Sequence, residues 1–275
     1  MRVLLVNPPD VDSSLFDWET AKRGRANNYP PYGLGVLSRH LLDNKHEPKI
    51  LDLNHELLKL VYESKDPIEY DQAWQEILFD EISDFEPELI GVTCLFSVTG
   101  KSLQSVCKTI KQLTDVPLCL GGVHLTHDVD QIMKDIPEAD YAFLNESEQA
   151  FIDFINEGKL TQVVTRTGKF LEKNAPRNLD IIPTFEQMDV ENHSLYGTLG
   201  SWYGFRYEDT RIATALSNRG CRAHCSFCNV RSFNGVGVRQ RSTASVLDEL
   251  EILKDKGVGH IIWLDDDLSM REERA

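Results

Sequence analysis

Leu89-Ile90-Gly91-Val92-Thr93-Cys94 and Pro117-Leu118-Cys119-Leu120-Gly121-Gly122 are two short apolar runs with one helical period between them. Neither run alternates polar with apolar residues, so each reads as a strand buried on both faces, the pattern of a parallel sheet. Between them Leu103, Val106, Cys107 and Ile110 fall on one face of a helix spanning about Gly100 to Leu113. Strand, helix and like strand make a βαβ unit, and this unit sets the reading of its neighbours.

Toward the N-terminus the alternation continues. Arg2 to Val6 is a buried strand, followed by a long polar loop from Asn7 to Pro31, a length that belongs to a binding loop or a lid. The loop closes at Tyr29-Pro30-Pro31-Tyr32-Gly33, and Leu34, Val36, Leu37, Leu41 and Leu42 form the apolar face of a helix ending near Asn44. Pro48 to Leu53 is a second strand; an acidic stretch then leads to a helix at about Gln72 to Asp84. Toward the C-terminus come a short helix at Val129 to Lys134, a fifth strand at Ala139 to Leu144 and a closing helix at Ser147 to Asn156. Five βα units predict an α/β fold: a doubly wound, five-stranded parallel sheet of flavodoxin-like order, with ligands at the carboxyl ends of the strands.

That domain is expected to cover residues 1–158. Residues 159–210 read as a hairpin and linker: Thr161 to Leu171 alternates across a Thr-Gly turn, and Pro176 to Pro183 is extended. Trp202, Tyr203, Phe205 and Tyr207 form an aromatic cluster suited to packing between domains, or to a substrate or corrin face. Residues 211–275 are expected to form a third part. It comprises the strand Ile212 to Leu216, a cysteine loop, a basic crossing from Val230 to Arg241, a helix at Ser242 to Lys256 and a strand at His260 to Leu264.

The chain has 275 residues, 41% hydrophobic and 27% charged, with a net charge of −15. That charge opposes general binding to nucleic-acid phosphate or to an anionic membrane surface. No apolar run reaches the roughly 20 residues of a membrane span, and the N-terminus is too short for a signal peptide, so a cytoplasmic protein is expected. Arg206, Arg211, Arg219, Arg222, Arg231, Arg239 and Arg241 crowd the cysteine loop against only Glu208 and Asp209. They form either a solvated basic face or a site for a carboxylate or another anionic group.

Ser217-Asn218-Arg219-Gly220-Cys221-Arg222-Ala223-His224-Cys225-Ser226-Phe227-Cys228 has the cysteine pattern Cys-x3-Cys-x2-Cys. Three thiolates suit three irons of a cubane cluster and leave the fourth iron open. Zinc is the plainer alternative, with His224 as fourth ligand, although its adjacency to Cys225 would strain the chelate. A disulfide with one spare thiol is another, and nothing else marks the chain as secreted. Cys94, Cys107 and Cys119 lie in apolar segments and read as buried, reduced thiols.

The cysteine loop, Phe227 before its last cysteine and the strand leading into it resemble the signature of radical S-adenosylmethionine (SAM) enzymes. The resemblance implies a [4Fe–4S] cluster on Cys221, Cys225 and Cys228, and SAM bound at the open iron and cleaved reductively. It implies Phe227 among the cofactor-binding residues, a small-molecule substrate and an electron donor such as flavodoxin or ferredoxin. Asp265 and Asp266 stand where many such proteins carry Gly-Gly-Glu, which holds the amino group of SAM; a plain acidic turn, with Asp267, is the alternative.

A second resemblance lies upstream. Thr93-Cys94-Leu95 and Gly121-Gly122 are similar to the Ser-x-Leu and Gly-Gly elements of cobalamin-binding Rossmann-like domains, where the nucleotide tail slides between sheet and helix. Thr93, Leu95, Gly121 and Gly122 are therefore candidate cobalamin contacts, against the alternative of a tight turn that needs glycine. The order Val6-Asn7-Pro8-Pro9, Pro30-Pro31-Tyr32-Gly33-Leu34-Gly35, Gly121-Gly122-Val123-His124 and Asn145-Glu146-Ser147-Glu148 resembles cobalamin-binding radical SAM proteins over nearly the whole chain. Two departures stand out. The first loop lacks Asp-x-His-x-x-Gly, so cobalamin would bind with no protein histidine on cobalt, and Asn145-Glu146-Ser147-Glu148 replaces Gly-Glu-Gly-Glu.

The implied activity is methyl transfer to an unactivated carbon or phosphorus. A radical SAM enzyme without cobalamin, catalysing ring formation or rearrangement, and a non-catalytic metal-binding protein are the alternatives. The family's catalytic barrel has about six βα units, whereas 47 residues follow Cys228. The expectation is an incomplete partial barrel, inactive by itself and completed by a downstream chain.

Overall fold

The computed structural model describes residues 1–199 and 210–268. In chain order the elements are β1 (Arg2–Asn7), α1 (Trp18–Lys22), α2 (Tyr32–Asp43), β2 (Glu47–Asp52), α3 (Leu53–Glu63), α4 (Tyr70–Phe85), β3 (Leu89–Thr93) and α5 (Gly100–Leu113). There follow β4 (Leu118–Gly121), α6 (Val123–His127), α7 (Val129–Asp135), β5 (Tyr141–Phe143), α8 (Glu148–Glu157), β6 (Val163–Thr165) and β7 (Lys169–Phe170). The remainder is α9 (His193–Tyr196), β8 (Arg211–Ala215), β9 (Asn218–Cys221), α10 (Val230–Asn234), β10 (Gly237–Gln240), α11 (Thr243–Asp255) and β11 (Val258–Trp263).

The main sheet runs β2-β1-β3-β4-β5-β6-β7. Its first five strands are parallel, as the apolar runs require, and the hairpin at 161–171 adds β6 and β7 as an antiparallel edge, making seven strands rather than five. Alternate residues feed two cores. Leu4, Val6, Ile90, Val92 and Leu120 pack against α3, α4 and α5, while Val3, Leu5, Cys119 and Phe143 pack against α2 and α8. The doubly wound arrangement thus follows from strands that are apolar on both faces. Cys94, Cys107 and Cys119 are buried free thiols, and burial pushes Cys94 up to about 12.

Several elements escaped the sequence reading. Helix α3 lies in the acidic stretch; Leu53, Leu57, Leu58 and Val61 are buried at helical spacing, and the Asp52 side chain caps it by accepting from the His55 N–H at 3.2 Å. The basic crossing after the cysteines contains α10 and β10, and β10 pairs antiparallel with β9, Arg239 opposite Arg219. Strand β11 pairs in parallel with β8 as a separate two-stranded sheet. The aromatic cluster at 202–207 lies outside the described residues. Among the described residues, no helix is long and apolar enough to cross a membrane.

The second sheet is not an appendage. Ala213, Leu253 and Val258 join the same hydrophobic cluster as Val3, Leu5 and Phe143, with Phe185, Met188 and Val190 filling the joint. A buried polar set closes it on one side: Tyr32 donates to both carboxylate oxygens of Glu249 at 3.0 and 3.1 Å. Arg241 pairs with Glu249 and donates to the Tyr32 hydroxyl at 3.1 Å and the Leu216 carbonyl at 2.8 Å. Burial raises Glu249 above the usual carboxylate range even against the Arg241 charge.

On the other side the linker meets the ends of β1 and β2. His55 and His193 stack with ring centroids 3.9 Å apart. His193 Nε2 lies 3.1 Å from Asp52 Oδ2, and His55 Nε2 lies 3.1 Å from Asp189 Oδ2. Asn28 Nδ2 donates to His55 Nδ1 at 3.1 Å, which fixes the neutral ring with its proton on Nε2. Burial, then the neighbouring His193, push His55 down to about 4. Nearby, burial and Asp52 push Asp10 up to about 7.

Two measurements check this joint. Arg241→Met leaves the Glu249 carboxylate buried and unpaired, and should lower the unfolding free energy in urea by about 3–5 kcal/mol, with partial recovery in Arg241→Met/Glu249→Leu. His55 stays neutral in the fold while the unfolded chain takes up its proton near pH 6.5, so stability should fall as pH drops from about 6.5 to about 4. The loss from this group approaches about 3 kcal/mol. A His55→Gln variant should lack that component; comparing the two proteins cancels the opposite contribution of Asp10, whose raised value favours the fold at the acid end of the same window.

Candidate functional site

The carboxyl ends of β1, β3, β4 and β5 open into a cavity of about 590 Å³, walled on its other side by the start of α2 and by the end of β8 with β9. Thr93, Leu95, Gly121 and Gly122 all line it, as does Asp266. The four positions taken from the two strand ends are thus brought together, Thr93 standing opposite Gly121 on the paired strands.

The two glycines have different reasons to be glycine. Gly122 has φ +112°, and a Cβ there would lie 2.3 Å from the Cys94 carbonyl oxygen. Its backbone closes against Cys94, where the Cys94 N–H donates to the Gly121 carbonyl at 2.8 Å and the His124 N–H donates to the Cys94 carbonyl at 3.2 Å. Gly121 is unconstrained in this way: a Cβ there meets nothing within 4 Å, and neither does one on Gly33 across the cavity. Glycine at 121 keeps space open rather than serving the turn.

The acidic turn after β11 splits into three roles. Asp265 accepts from the N–H groups of Ser217 and Asn218 at 2.6 and 3.1 Å, from Asn218 Nδ2 at 3.1 Å and from the Ser217 hydroxyl. It fastens the end of β8 to the end of β11. Asp267 takes Arg222 at 3.1 Å and lies 3.9 Å from Cys221 Sγ. Asp266 faces the cavity, and burial, then the charge of Asp265, raise it above the usual carboxylate range. Beside it the Asn218 Oδ1 is buried without a partner, an acceptor available to a ligand's donor.

The cysteines sit on the outer side of this region. Cys221 ends β9, while Cys225 and Cys228 are exposed, and Phe227 is 88% exposed and away from the cavity lining. As the loop stands, no group of three or more His, Cys, Asp or Glu side chains among the described residues is disposed to hold a metal ion. The donor chemistry still fits a cluster: three thiols share one loop, and the Ala223 N–H already donates to Cys221 Sγ at 3.4 Å, the kind of bond that tunes a ligating sulfur.

The crowd of arginines is answered from other parts of the chain. Arg219 Nη1 meets Glu146 at 2.7 Å and Glu148 at 2.6 Å, and Arg239 pairs with the other oxygen of Glu146. With Arg222 on Asp267 and Arg241 on Glu249, four of these arginines are ion-paired among the described residues. The sequence reading saw only neighbours along the chain and so overstated the positive field. Against the burial of both groups, Arg219 holds Glu148 below the usual carboxylate range and is itself raised. Tyr32, Gly33 and Asn218 also line the cavity and were not singled out as site residues, although Tyr32 and Gly33 stand in the quoted motif order; Arg219, read as one of the basic residues around the cysteines, lines it too.

Residues 22–155 match the family described as the B12 binding domain. This part of the chain resembles a B12-binding domain. Among curated relatives, the cytidylyl-2-hydroxyethylphosphonate methyltransferase of Streptomyces wedmorensis is 25% identical over an alignment covering all of this chain and 56% of that protein. The anaerobic magnesium-protoporphyrin IX monomethyl ester cyclase of Cereibacter sphaeroides is 22% identical over 74% of this chain and 34% of its own. The radical S-adenosylmethionine methyltransferase TsrM of Kitasatospora setae superimposes with a TM-score of 0.68 at 22% identity in the structure with cobalamin and [4Fe–4S] cluster bound. That match covers 100% of this chain and 50% of TsrM. The structure of TsrM with tryptophan and a SAM analogue gives 0.67 at 21% identity. The chain spans about half the length of these relatives, and at this identity the structural match establishes the shared fold.

The match to that family makes the two glycines a direct test. Gly121→Val should leave the thermal midpoint near that of the wild type while filling open cavity space, and should weaken hydroxocobalamin binding about tenfold or more. Gly122→Ala should instead destabilise the protein itself, by about 1–3 kcal/mol, because of its left-handed backbone and the Cys94 contact.

Proposed function

We propose that this chain is the cobalamin- and cluster-bearing part of a radical SAM enzyme that transfers a methyl group to an unactivated carbon or phosphorus of a small molecule. The observation that carries the reading is the shared cavity. Its floor is the B12-binding sheet with Gly121 held open, and its far wall is β9, which ends in Cys221, together with the Asp266 turn.

In this reading the nucleotide tail of cobalamin enters between the sheet and α2, where Gly33 and Gly121 leave room and Thr93 offers a hydroxyl. No histidine follows β1 within the loop's first residues, so cobalt takes no imidazole from that loop. Cys221, Cys225 and Cys228 hold a [4Fe–4S] cluster. Asp266 and Asn218 Oδ1 present acceptors to the amino group of SAM, and Asp265 fixes the turn that carries them. When bound, these groups supply the methyl carrier and the radical chemistry; the chain binds and orients them and lines the cavity with apolar side chains that exclude water. An electron donor such as flavodoxin or ferredoxin completes the cycle. The phosphonate methyltransferase supports methyl transfer; the cyclases, one of which also aligns over the whole chain, support ring formation as the second reading.

Anaerobically reconstituted protein should contain about four iron and four sulfide per chain and lose them in Cys221→Ala, Cys225→Ala or Cys228→Ala. Hydroxocobalamin should bind with an absorbance spectrum that lacks imidazole ligation. Stoichiometric zinc with no iron uptake, or no corrinoid binding, would overturn the reading.

A further inference from the structure

Asn145-Glu146-Ser147-Glu148 lies within the stretch that matches the B12 binding domain, yet its side chains reach both ends of the cysteine loop. Ahead of the loop, Glu146 and Glu148 take Arg219, two residues before Cys221, and Glu146 takes Arg239 on the paired strand. Behind the loop, Asn145 Nδ2 donates to the carbonyls of Ser232 at 3.1 Å and Phe233 at 3.0 Å, at the end of the helix that follows Cys228. Asn145 adopts φ +57°, a conformation that asparagine tolerates and that turns its amide toward those carbonyls. All four residues of the segment line the cavity.

The ion pairs are not surface decoration. Glu146 is 5% exposed, and its two oxygens are each occupied by a different arginine. Glu148 keeps a second oxygen, Oε2, buried with no partner. Moving β9 away would strand the buried Glu146 carboxylate and the largely covered one of Glu148, so this part of the cysteine unit is held to the segment far more tightly than exposed pairs would hold it.

We propose that residues 145–148 couple the two cofactor sites: filling the cavity and loading the cysteines each favour the same placement of this segment, so each tightens the other. Glu146, Glu148 and Arg219 are positioning residues in this scheme. The proposal rests on the reading that a corrinoid fills the cavity and an iron–sulfur cluster the cysteines. A ligand packed against 145–148 orders the segment, the ordered segment fixes β9 and the end of α10, and the cysteine loop between them is then confined. Coupling of this kind is reciprocal, so it is measurable from either site.

The test titrates hydroxocobalamin into the full chain with and without its reconstituted cluster. The expected dissociation constant is at least about fivefold lower with the cluster in place. Arg219→Met should bring that ratio to about one, and Arg219→Lys, which keeps a cation between the two glutamates, should restore most of it. A loss of general stability would not be repaired selectively in this way. Arg239→Gln, outside the cavity lining, should reduce the ratio as well. In cofactor-free protein, alkylation of Cys221 should be faster in Arg219→Met and in Asn145→Ala than in the wild type. A wild-type ratio of one with both cofactors bound, an unchanged ratio in Arg219→Met, or unchanged alkylation would overturn the coupling. Absence of hydroxocobalamin binding to the wild type would instead overturn the functional reading and the coupling together, and is separately visible in the first titration.

Discussion

Buried carboxylates facing arginines across a joint are the interaction on which this architecture depends. Glu249 lies between Tyr32 and Arg241, and Glu146 between Arg219 and Arg239. Each carboxylate would be costly without its partner, because low-dielectric surroundings penalise an uncompensated charge by several kcal/mol. The cavity lies between these two pairs, with Tyr32 and Arg219 both in its wall. The relative placement of the main sheet and the cysteine hairpin is therefore set by paired charges at the cavity's rim as well as by the apolar joint at Ala213 and Phe185.

Much of the fold was legible because it rests on local patterns. Unbroken apolar runs at Val3–Val6, Leu89–Val92 and Leu118–Leu120 announce strands covered on both faces, and their alternation with amphipathic helices announces the parallel sheet. Helix α3 was missed although Leu53, Leu57, Leu58 and Val61 have the right spacing, since the stretch from Leu53 to the next helix reads as polar and acidic. The antiparallel edge β6–β7 was seen as a hairpin, but nothing within Thr161–Leu171 says that β6 pairs with β5.

The site was legible in part for a related reason. Motif residues at strand ends, such as Thr93 and Gly121, must converge once the strands are parallel neighbours. The division of labour within Asp265, Asp266 and Asp267 was not readable, because three adjacent carboxylates are told apart only by what folds onto them: Ser217 and Asn218 on the first, the cavity on the second, Arg222 on the third. The arginines around Cys221 illustrate the same limit, since their partners Glu146 and Glu148 come from an element distant in sequence and Glu249 from the helix that follows.

The central claim is that one cavity, open above Gly121 and walled by β9, receives a corrinoid next to the cysteine loop. An anaerobic crystal structure of the protein with hydroxocobalamin tests it most directly. The account predicts density for the nucleotide tail running between the sheet and α2, past Thr93 and Gly121, with the corrin ring on the side of Asn218 and Asp266. A cavity closed by collapsed side chains, with the corrinoid bound elsewhere, would contradict it.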